Sequence, residues 1–231
     1  MTVILLRHGR STSNTAQTLA GRSEGVGLDD KGLDQAAAVV DRIGALPLRA
    51  IVRSPLLRCA QTVEPLAAAL GLQPIVDERL AEVDYGSWTG RKIVELVKEP
   101  LWAVVQQQPS AAVFPGGEGL AQVQARAVAA VREHDRVLAE RYEGDALWLA
   151  CTHGDVIKAV VADALGTHLD SFQRITADTA SMSVIRYSPL RPFVMHVNHT
   201  GSQLTSALLA KPPAVEGQVP REDATVGGST D

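Results

Sequence analysis

The chain has 231 residues, of which 45% are hydrophobic, and its 22 basic and 26 acidic side chains give a net charge of −4. This length can bury the core of one domain, and the lack of a basic run that would follow a nucleic-acid backbone argues against nucleic acid as a partner. The apolar run before Arg7 is too short for a signal peptide and no later run reaches membrane-spanning length, so we expect a cytoplasmic protein without a membrane partner.

Short aliphatic runs alternate with helical patterns through the first half of the chain. Residues 2–6 predict a strand, and residues after an aspartate N-cap at Asp29 or Asp30 show apolar side chains at helical spacing. Residues 50–52 predict a second short strand. The helical segment 58–70 follows, with Pro65 either in its first turn or producing a kink.

The second half continues the alternation and completes the predicted fold class. We expect strands at 74–76 and 146–152, helices at 91–107, 120–141 and 155–165, a loop or lid at 108–119, and an edge hairpin from strands 182–187 and 193–197. This order predicts an α/β fold of three layers, α/β/α, around a mainly parallel sheet. The catalytic domain is expected to span residues 1–210, and the Gly-, Pro- and charge-rich residues 211–231 are typical of a disordered tail.

Polar side chains follow three of these strands at the point where each strand ends: Arg7 and His8, then Arg53, Ser54 and Arg58, and finally Thr152 and His153. Ligands of open α/β sheets bind at the carboxyl ends of strands, where these groups would meet. Guanidinium forks match phosphate oxygens, and glycines at 9 and 154 would let backbone amides approach the same anion. The sequence therefore predicts a site for a phosphoryl group.

Each of these signals is weak alone, since an isolated strand-end histidine is more often a structural residue, so other chemistries were compared. The chain lacks a G-x-S-x-G elbow and a phosphate-binding P-loop. Cys59 and Cys151 lack a C-x-x-C spacing, which predicts neither a disulfide framework nor a zinc ribbon, and neither has an arginine six positions later. A metal site stays open as an alternative, formed by His8, His153, Asp155 and His199.

Six segments resemble, in the correct order, the motifs of one known family. They are LLRHGRSTSN, LDDKGLDQA, SPLLRCAQT, LAEVDYGSWTG, PGGEG and ACTHGDVIK, within residues 3–165. The resemblance is to the histidine phosphatase superfamily, in its phosphoglycerate-mutase-like branch. The resemblance implies a phosphoglycerate-mutase-like fold and a homodimer. It implies neither a metal ion nor an organic cofactor.

The resemblance also implies a role for each matching residue. His8 would be the nucleophile, Glu82 would be the general acid and base, and the phosphoryl group would be bound by Arg7, Arg58 and His153. A neutral imidazole can attack phosphorus and later transfer the phosphoryl group to an acceptor, while fixed cationic donors stabilise the charge of the transition state.

Further positions are implied to contact the substrate. Asn14, Ala20 and Gly21 match family positions of this kind, although Asn14 could equally cap a helix. Arg10 adds positive charge at the pocket entrance, with a salt bridge to Glu24 or Asp29 as the alternative. Glu118 and Gly119 are expected near the mouth of the pocket, or else in a plain flexible loop.

Departures from the mutase pattern favour a phosphatase. Residues 10–14 read RSTSN, where mutases usually have an acidic residue and a tryptophan before the asparagine, and residues 19–27 lack the aromatic-rich segment of mutases. Our leading hypothesis is a metal-independent phosphomonoester hydrolase acting on a small phosphorylated metabolite. A phosphoglycerate-type mutase is the alternative enzyme, and a non-catalytic phosphate sensor or protein-binding module is a third hypothesis.

Overall fold

The computed structural model describes residues 1–142 and 146–201. The predicted end of the domain at residue 210 and the predicted tail, 211–231, lie outside the described residues. A six-stranded sheet has the order β3-β2-β4-β1-β5-β6. Its strands are β1 (Thr2–Arg7), β2 (Leu48–Arg53), β3 (Ile75–Val76), β4 (Leu147–Thr152), β5 (Met182–Tyr187) and β6 (Pro192–His199).

The directions of the strands confirm the predicted sheet. β1 and β2 each run parallel to β4, and β3 runs parallel to β2. β5 is antiparallel to both of its neighbours, β1 and β6. The predicted edge hairpin is confirmed as β5 and β6. Since only residues 188–191 join these two strands, the connection is too short for a parallel crossover.

Seven α-helices surround the sheet in the described part of the chain. They are α1 (Thr12–Thr15), α2 (Asp30–Ile43), α3 (Leu57–Leu70), α4 (Ile93–Leu96), α5 (Pro100–Gln107), α6 (Leu120–Tyr142) and α7 (Gly154–Ala164). Among the helices of residues 1–142 and 146–201, none has both the length and the hydropathy that a membrane crossing requires.

Two buried clusters, one on each face of the sheet, create the three layers. Alternate residues of a strand point to opposite faces, so Ile4 and Leu6 of β1 pack with α2 and α3, while Val3 and Leu5 belong to the cluster that includes α6 and α7. Trp148 of β4 is fully buried in the second cluster. The predicted three-layer α/β/α fold is confirmed.

Two helix predictions need correction because of proline. The predicted helix 91–107 is wrong, since α4 ends at Leu96 and a separate helix, α5, begins at Pro100. Proline has no N–H for an intrahelical bond but is suited to the first position of a helix. Pro65 lies well inside α3 and not in its first turn, so that alternative is also wrong.

The loop after His8 lies directly against the first turn of α2. Asp29 is the N-cap of this helix, and its side chain accepts a hydrogen bond from the N–H of Gly32, which confirms the predicted aspartate cap. A Cβ on Gly32 would lie 2.0 Å from the carbonyl oxygen of Arg10, and a Cβ on Gly9 would lie 2.7 Å from the carbonyl oxygen of Gly32. Two glycines thus allow α2 and the loop to touch.

We expect Gly32→Ala to destabilise the fold and to displace the loop that carries His8. The added methyl group meets backbone and not a movable side chain, and such overpacking costs about 1–3 kcal/mol. Thermal unfolding measures the loss, with Lys31→Ala at the exposed neighbouring position as the control. Equal melting temperatures for the two variants would contradict this account of the contact.

Candidate active site

The carboxyl ends of three neighbouring parallel strands bring the predicted catalytic residues together. His8 follows β1, His153 follows β4, and Arg58 lies in the first turn of α3, just after β2. Glu82 lies between a 3₁₀ helix, Glu78–Leu80, and the next loop. All five predicted catalytic side chains are buried: Arg7, His8, Arg58, Glu82 and His153.

Hydrogen bonds fix the orientation of the His8 imidazole. Its Nδ1 lies 2.7 Å from the carbonyl oxygen of Gly9, so Nδ1 carries the proton and donates it to this bond. Arg58 Nε donates to His8 Nε2 at 3.3 Å. Burial, followed by the positive charges of Arg58 and Arg7, holds the pKa of His8 well below its ordinary value. The ring is therefore neutral, with its lone pair on Nε2.

Both predicted phosphate-binding arginines are buried and held by backbone carbonyls. Arg58 Nη2 donates to Gly21 at 2.8 Å, and Arg7 Nη1 donates to Ala177 at 2.7 Å. Within the described residues, Arg58 Nη1 has no hydrogen-bond partner. Its guanidinium group also forms no ion pair with a described carboxylate, so its charge is available to an anionic ligand.

His153 lies beside His8, with 5.2 Å between the two ring centroids. Its Nε2 is 2.8 Å from Ser54 Oγ, and its Nδ1 is 3.8 Å from Glu82 Oε2, which is too long for a hydrogen bond. Burial and then the charge of Arg58 hold the pKa of His153 well below its ordinary value, so this ring is also neutral.

Glu82 is a carboxyl group whose burial disfavours its charged form. Burial and the nearby charge of Asp155 raise the pKa of Glu82 to about 7, although Arg58 opposes the shift. One carboxylate oxygen accepts a hydrogen bond from the N–H of Val83 at 2.9 Å. A carboxyl group that titrates near neutral pH can both donate and accept a proton.

Two arginines hold the backbone of Glu82 in place. Its carbonyl oxygen accepts hydrogen bonds from Arg22 Nε at 2.9 Å and from Arg126 Nη2 at 3.1 Å. Both arginines also bind the carboxylate of Glu118, whose Oε2 accepts the N–H of Asp84 as well. The predicted mouth residue Glu118 therefore tethers the segment that carries Glu82. Sequence reasoning gave no role to either arginine, and no local signal marks them.

Two of the predicted substrate-binding side chains, those of Arg10 and Asn14, have protein partners in the structure. Arg10 Nε binds Asp29 Oδ2 at 2.7 Å, so the salt-bridge alternative for Arg10 is the one observed, with Asp29 and not Glu24 as partner. The Asn14 amide oxygen accepts hydrogen bonds from the N–H and hydroxyl of Ser11, which makes it part of a capping box. The capping alternative for Asn14 therefore describes its contacts.

The glycines and Ala20 differ in their relation to the site. The N–H of Gly9 donates to Thr62 Oγ1 at 2.9 Å, so this amide already has a protein partner, and its contact with an anion stays a prediction. Gly154 is the first residue of α7, and helices leave their first amides without intrahelical partners. Gly21 reaches the site through its carbonyl bond to Arg58, and the adjacent Ala20 is half-buried.

A buried polar cluster behind the site was not predicted as such. Tyr85 donates to Asp155 Oδ2 at 2.8 Å, and Lys158 Nζ lies 3.5 Å from Asp155 Oδ1. Lys158 also donates to Gln173 at 2.8 Å. Asp155 and Lys158, two charged residues three positions apart in the largely apolar helix α7, are the signal that could have identified this cluster.

The metal alternative is not supported by the geometry. Among the described residues, which include all four candidate ligands, no group of three or more His, Cys, Asp or Glu side chains is placed to hold a metal ion. His199 is the last residue of the edge strand β6, and its carbonyl oxygen accepts a hydrogen bond from Arg42.

The proteins to which this chain is similar include a phosphatase and a probable mutase. The bifunctional protein Rv2228c of Mycobacterium tuberculosis is 33% identical over 86% of this chain, but the match covers only 54% of that protein, so the chain spans about half the length of this relative. Phosphoserine phosphatase 1 of Hydrogenobacter thermophilus is 28% identical over 86% of this chain and 92% of its own. The probable phosphoglycerate mutase GpmB of an Enterobacter strain is 30% identical over 80% and 84%.

The fold and the family are also matched. The structure of YhfR from Bacillus stearothermophilus superposes with a TM-score of 0.77 and 28% identity, over 86% of this chain and 96% of that one. The family model described as histidine phosphatase superfamily (branch 1) matches residues 3–200. With this match and the site geometry together, the chain belongs to branch 1 of the histidine phosphatase superfamily.

Proposed function

We propose that the protein is a metal-independent phosphomonoester hydrolase that forms a phosphohistidine on His8 Nε2. The observation that carries the proposal is the state of His8: its Nδ1 proton is bound by Gly9, its ring is neutral, and its Nε2 faces the guanidinium of Arg58. The substrate would be a small phosphorylated metabolite, and the reaction needs no cofactor.

In the first step, the lone pair on His8 Nε2 attacks phosphorus and the bond to the leaving oxygen breaks. Negative charge on the transferring group spreads over its equatorial oxygens, where Arg7, Arg58 and His153 supply fixed donors. Glu82, protonated below a pKa of about 7, gives its proton to the leaving oxygen. In the second step the Glu82 carboxylate takes a proton from water, and the resulting hydroxide displaces the phosphoryl group from nitrogen.

A phosphoglycerate-type mutase is the second candidate, and the similarity to GpmB is the observation that favours it. Both activities would share the phosphohistidine and differ in the acceptor. The departures from the mutase pattern in residues 10–14 and 19–27, together with the similarity to a phosphoserine phosphatase, support water as the acceptor. The cytoplasmic location and the homodimer remain predictions.

The test is release of inorganic phosphate from a panel of phosphorylated metabolites, including phosphoserine and 3-phosphoglycerate, in the presence of a chelator. Hydrolysis that the chelator leaves unchanged supports the proposal. Interconversion of 3- and 2-phosphoglycerate that outpaces phosphate release would establish the mutase. Ligand binding without turnover, and without a base-stable and acid-labile phosphoenzyme, would establish the non-catalytic sensor.

We expect Glu82→Gln to separate substrates by their leaving groups. Alkyl phosphates need the proton of Glu82, so their turnover falls by about 10²- to 10⁴-fold, whereas p-nitrophenyl phosphate, with its stable leaving anion, is affected much less in the first step. In the wild type, alkyl phosphate turnover decreases as the pH rises through about 7, because Glu82 then loses its proton. The Gln variant lacks this decrease.

The rate of the first step for both substrates, measured across pH as pre-steady-state release of the alcohol or of p-nitrophenol, gives this comparison, because steady-state turnover also contains the step in which Glu82 activates water. Glu95→Gln, at an exposed glutamate, is the matched control and keeps the wild-type profile. Equal loss on both substrates with an unchanged pH profile would show that Glu82 does not act on the leaving oxygen.

A further inference from the structure

Ser54 is a buried hydroxyl group that the proposed mechanism does not use. It follows the last residue of β2, and its N–H donates to the carbonyl oxygen of Cys151 at 2.9 Å, which fixes it against the end of β4. Its side chain is fully buried and its Oγ lies 2.8 Å from His153 Nε2. The backbone positions of two neighbouring strands therefore determine this contact.

The direction of the hydrogen bond follows from the other partner of Ser54. Its Oγ accepts a hydrogen bond from the N–H of Leu56 at 3.3 Å. Among the described residues, His153 Nε2 is the only other group in hydrogen-bond contact with Oγ, so the buried hydroxyl hydrogen has this nitrogen as its acceptor. An imidazole nitrogen that accepts a hydrogen bond carries no proton, so the proton of a neutral His153 is on Nδ1.

His153 Nδ1 is buried and, within the described residues, has no hydrogen-bond partner. It lies on the side of the ring that faces the Glu82 carboxyl group, at 3.8 Å from Oε2. Arg58 Nη1, another buried donor without a hydrogen-bond partner among the described residues, belongs to the same site. Buried donors are rarely left unsatisfied, so this pair points to an acceptor that the substrate supplies.

We propose that Ser54 is a positioning residue that holds His153 in the tautomer with its proton on Nδ1, so that Nδ1–H donates to the phosphoryl group. This inference rests on the proposed function for the identity of the acceptor, but the tautomer itself does not. Ser54 touches no reacting atom. It acts by deciding which ring nitrogen carries the donor, and the wrong tautomer would present a lone pair to a negatively charged ligand.

The direct measurement is the tautomer of His153 by ¹⁵N NMR of histidine-labelled protein, with the signals assigned by their loss in His153→Gln. We expect a protonated Nδ1 and an unprotonated Nε2 in the wild type. In Ser54→Ala the proton moves wholly or partly to Nε2, since the hydroxyl donor is gone and the Cys59 thiol, whose Sγ lies 3.6 Å from Nε2, is only a weak donor. Ser54→Thr keeps a hydroxyl group and restores the wild-type tautomer.

Turnover is the second readout. Ser54→Ala is expected to lower kcat on the order of 10- to 100-fold, the effect typical of removing a partner that orients a functional histidine, with little change in KM. Ser183→Ala is the control, because Ser183 is equally buried but contacts Asn198 and not a site residue. It should leave both the tautomer and kcat unchanged.

The outcomes separate this inference from the proposed function. A wild-type His153 with its proton on Nε2 overturns the inference, even if Ser54→Ala fails to fold. An unchanged tautomer in a folded Ser54→Ala also overturns it. The expected tautomer shift in a protein that hydrolyses no phosphomonoester supports the role of Ser54 while contradicting the hydrolase.

Discussion

Replacing His8 with alanine is expected to reduce the hydrolysis of p-nitrophenyl phosphate by about 10⁴-fold or more, because the proposed nucleophile of the first step is lost and no phosphohistidine forms for the second step. The remaining arginines and His153 can still bind the phosphoryl group, so ligand affinity falls much less than turnover. A large loss of turnover with a small loss of ligand affinity distinguishes removal of the nucleophile from disruption of the whole binding site. Stopped assays of phosphate release, together with inorganic phosphate binding by calorimetry, measure the two quantities.

Phosphoenzyme trapping gives the same prediction a direct chemical readout. Brief incubation with a ³²P-labelled phosphomonoester, followed by an alkaline quench, labels the wild type with an acid-labile group, and His8→Ala is unlabelled. His196→Ala is the control, since His196 is exposed on the edge strand β6. If His8→Ala keeps substantial turnover and a chelator abolishes it, the phosphohistidine mechanism is contradicted and a metal-dependent mechanism is favoured.

Arg58→Met is expected to reduce turnover by about 10³-fold, which is the lower end of the effect of an arginine that stabilises phosphoryl transfer. Arg58 donates to His8 Nε2 and to the Gly21 carbonyl, and its Nη1 has no described partner. Lysine lacks this planar fork, so Arg58→Lys recovers only part of the activity.

The same substitution moves the acid side of the pH profile. Arg58 lowers the pKa of His8, so its removal raises that pKa towards the ordinary value for histidine. As the pH falls, His8 then becomes protonated earlier and activity is lost at a higher pH than in the wild type. Arg91→Met, at a partly exposed arginine paired with Glu99, keeps the wild-type profile. An unshifted acid limb in Arg58→Met would mean that Arg58 does not set the charge state of His8.

The positions of the strands and of the catalytic residues could be predicted because both depend on local patterns. Aliphatic runs mark β1 and β4, and the residues that follow them, His8 and His153, must meet where parallel strands end together. Arg58 follows β2 by the same reasoning. Family motifs were needed for Glu82, which follows a 3₁₀ turn and no strand of the sheet.

Contacts between segments that are distant along the chain could not be predicted from the sequence. Cys59 and Cys151 are 92 residues apart, yet Cys151 Sγ lies 3.8 Å from the Cys59 carbonyl oxygen because α3, which contains Cys59, packs on β4. Thr62, the partner of the Gly9 amide, is also distant in the sequence. Such pairings depend on strand order, which periodicity does not determine.

The contact between the loop after His8 and α2 makes residues 12–27 a closed loop. Ser11 and Leu28 form an antiparallel bridge, and the N–H of Asp29 donates to Arg10, so residues 12–27 leave and return at one point. Doubling the length of a closed loop costs only about 0.6 kcal/mol. Insertions in this closed loop therefore cost little stability, provided that the carbonyl oxygen of Gly21 keeps its hydrogen bond to Arg58 Nη2.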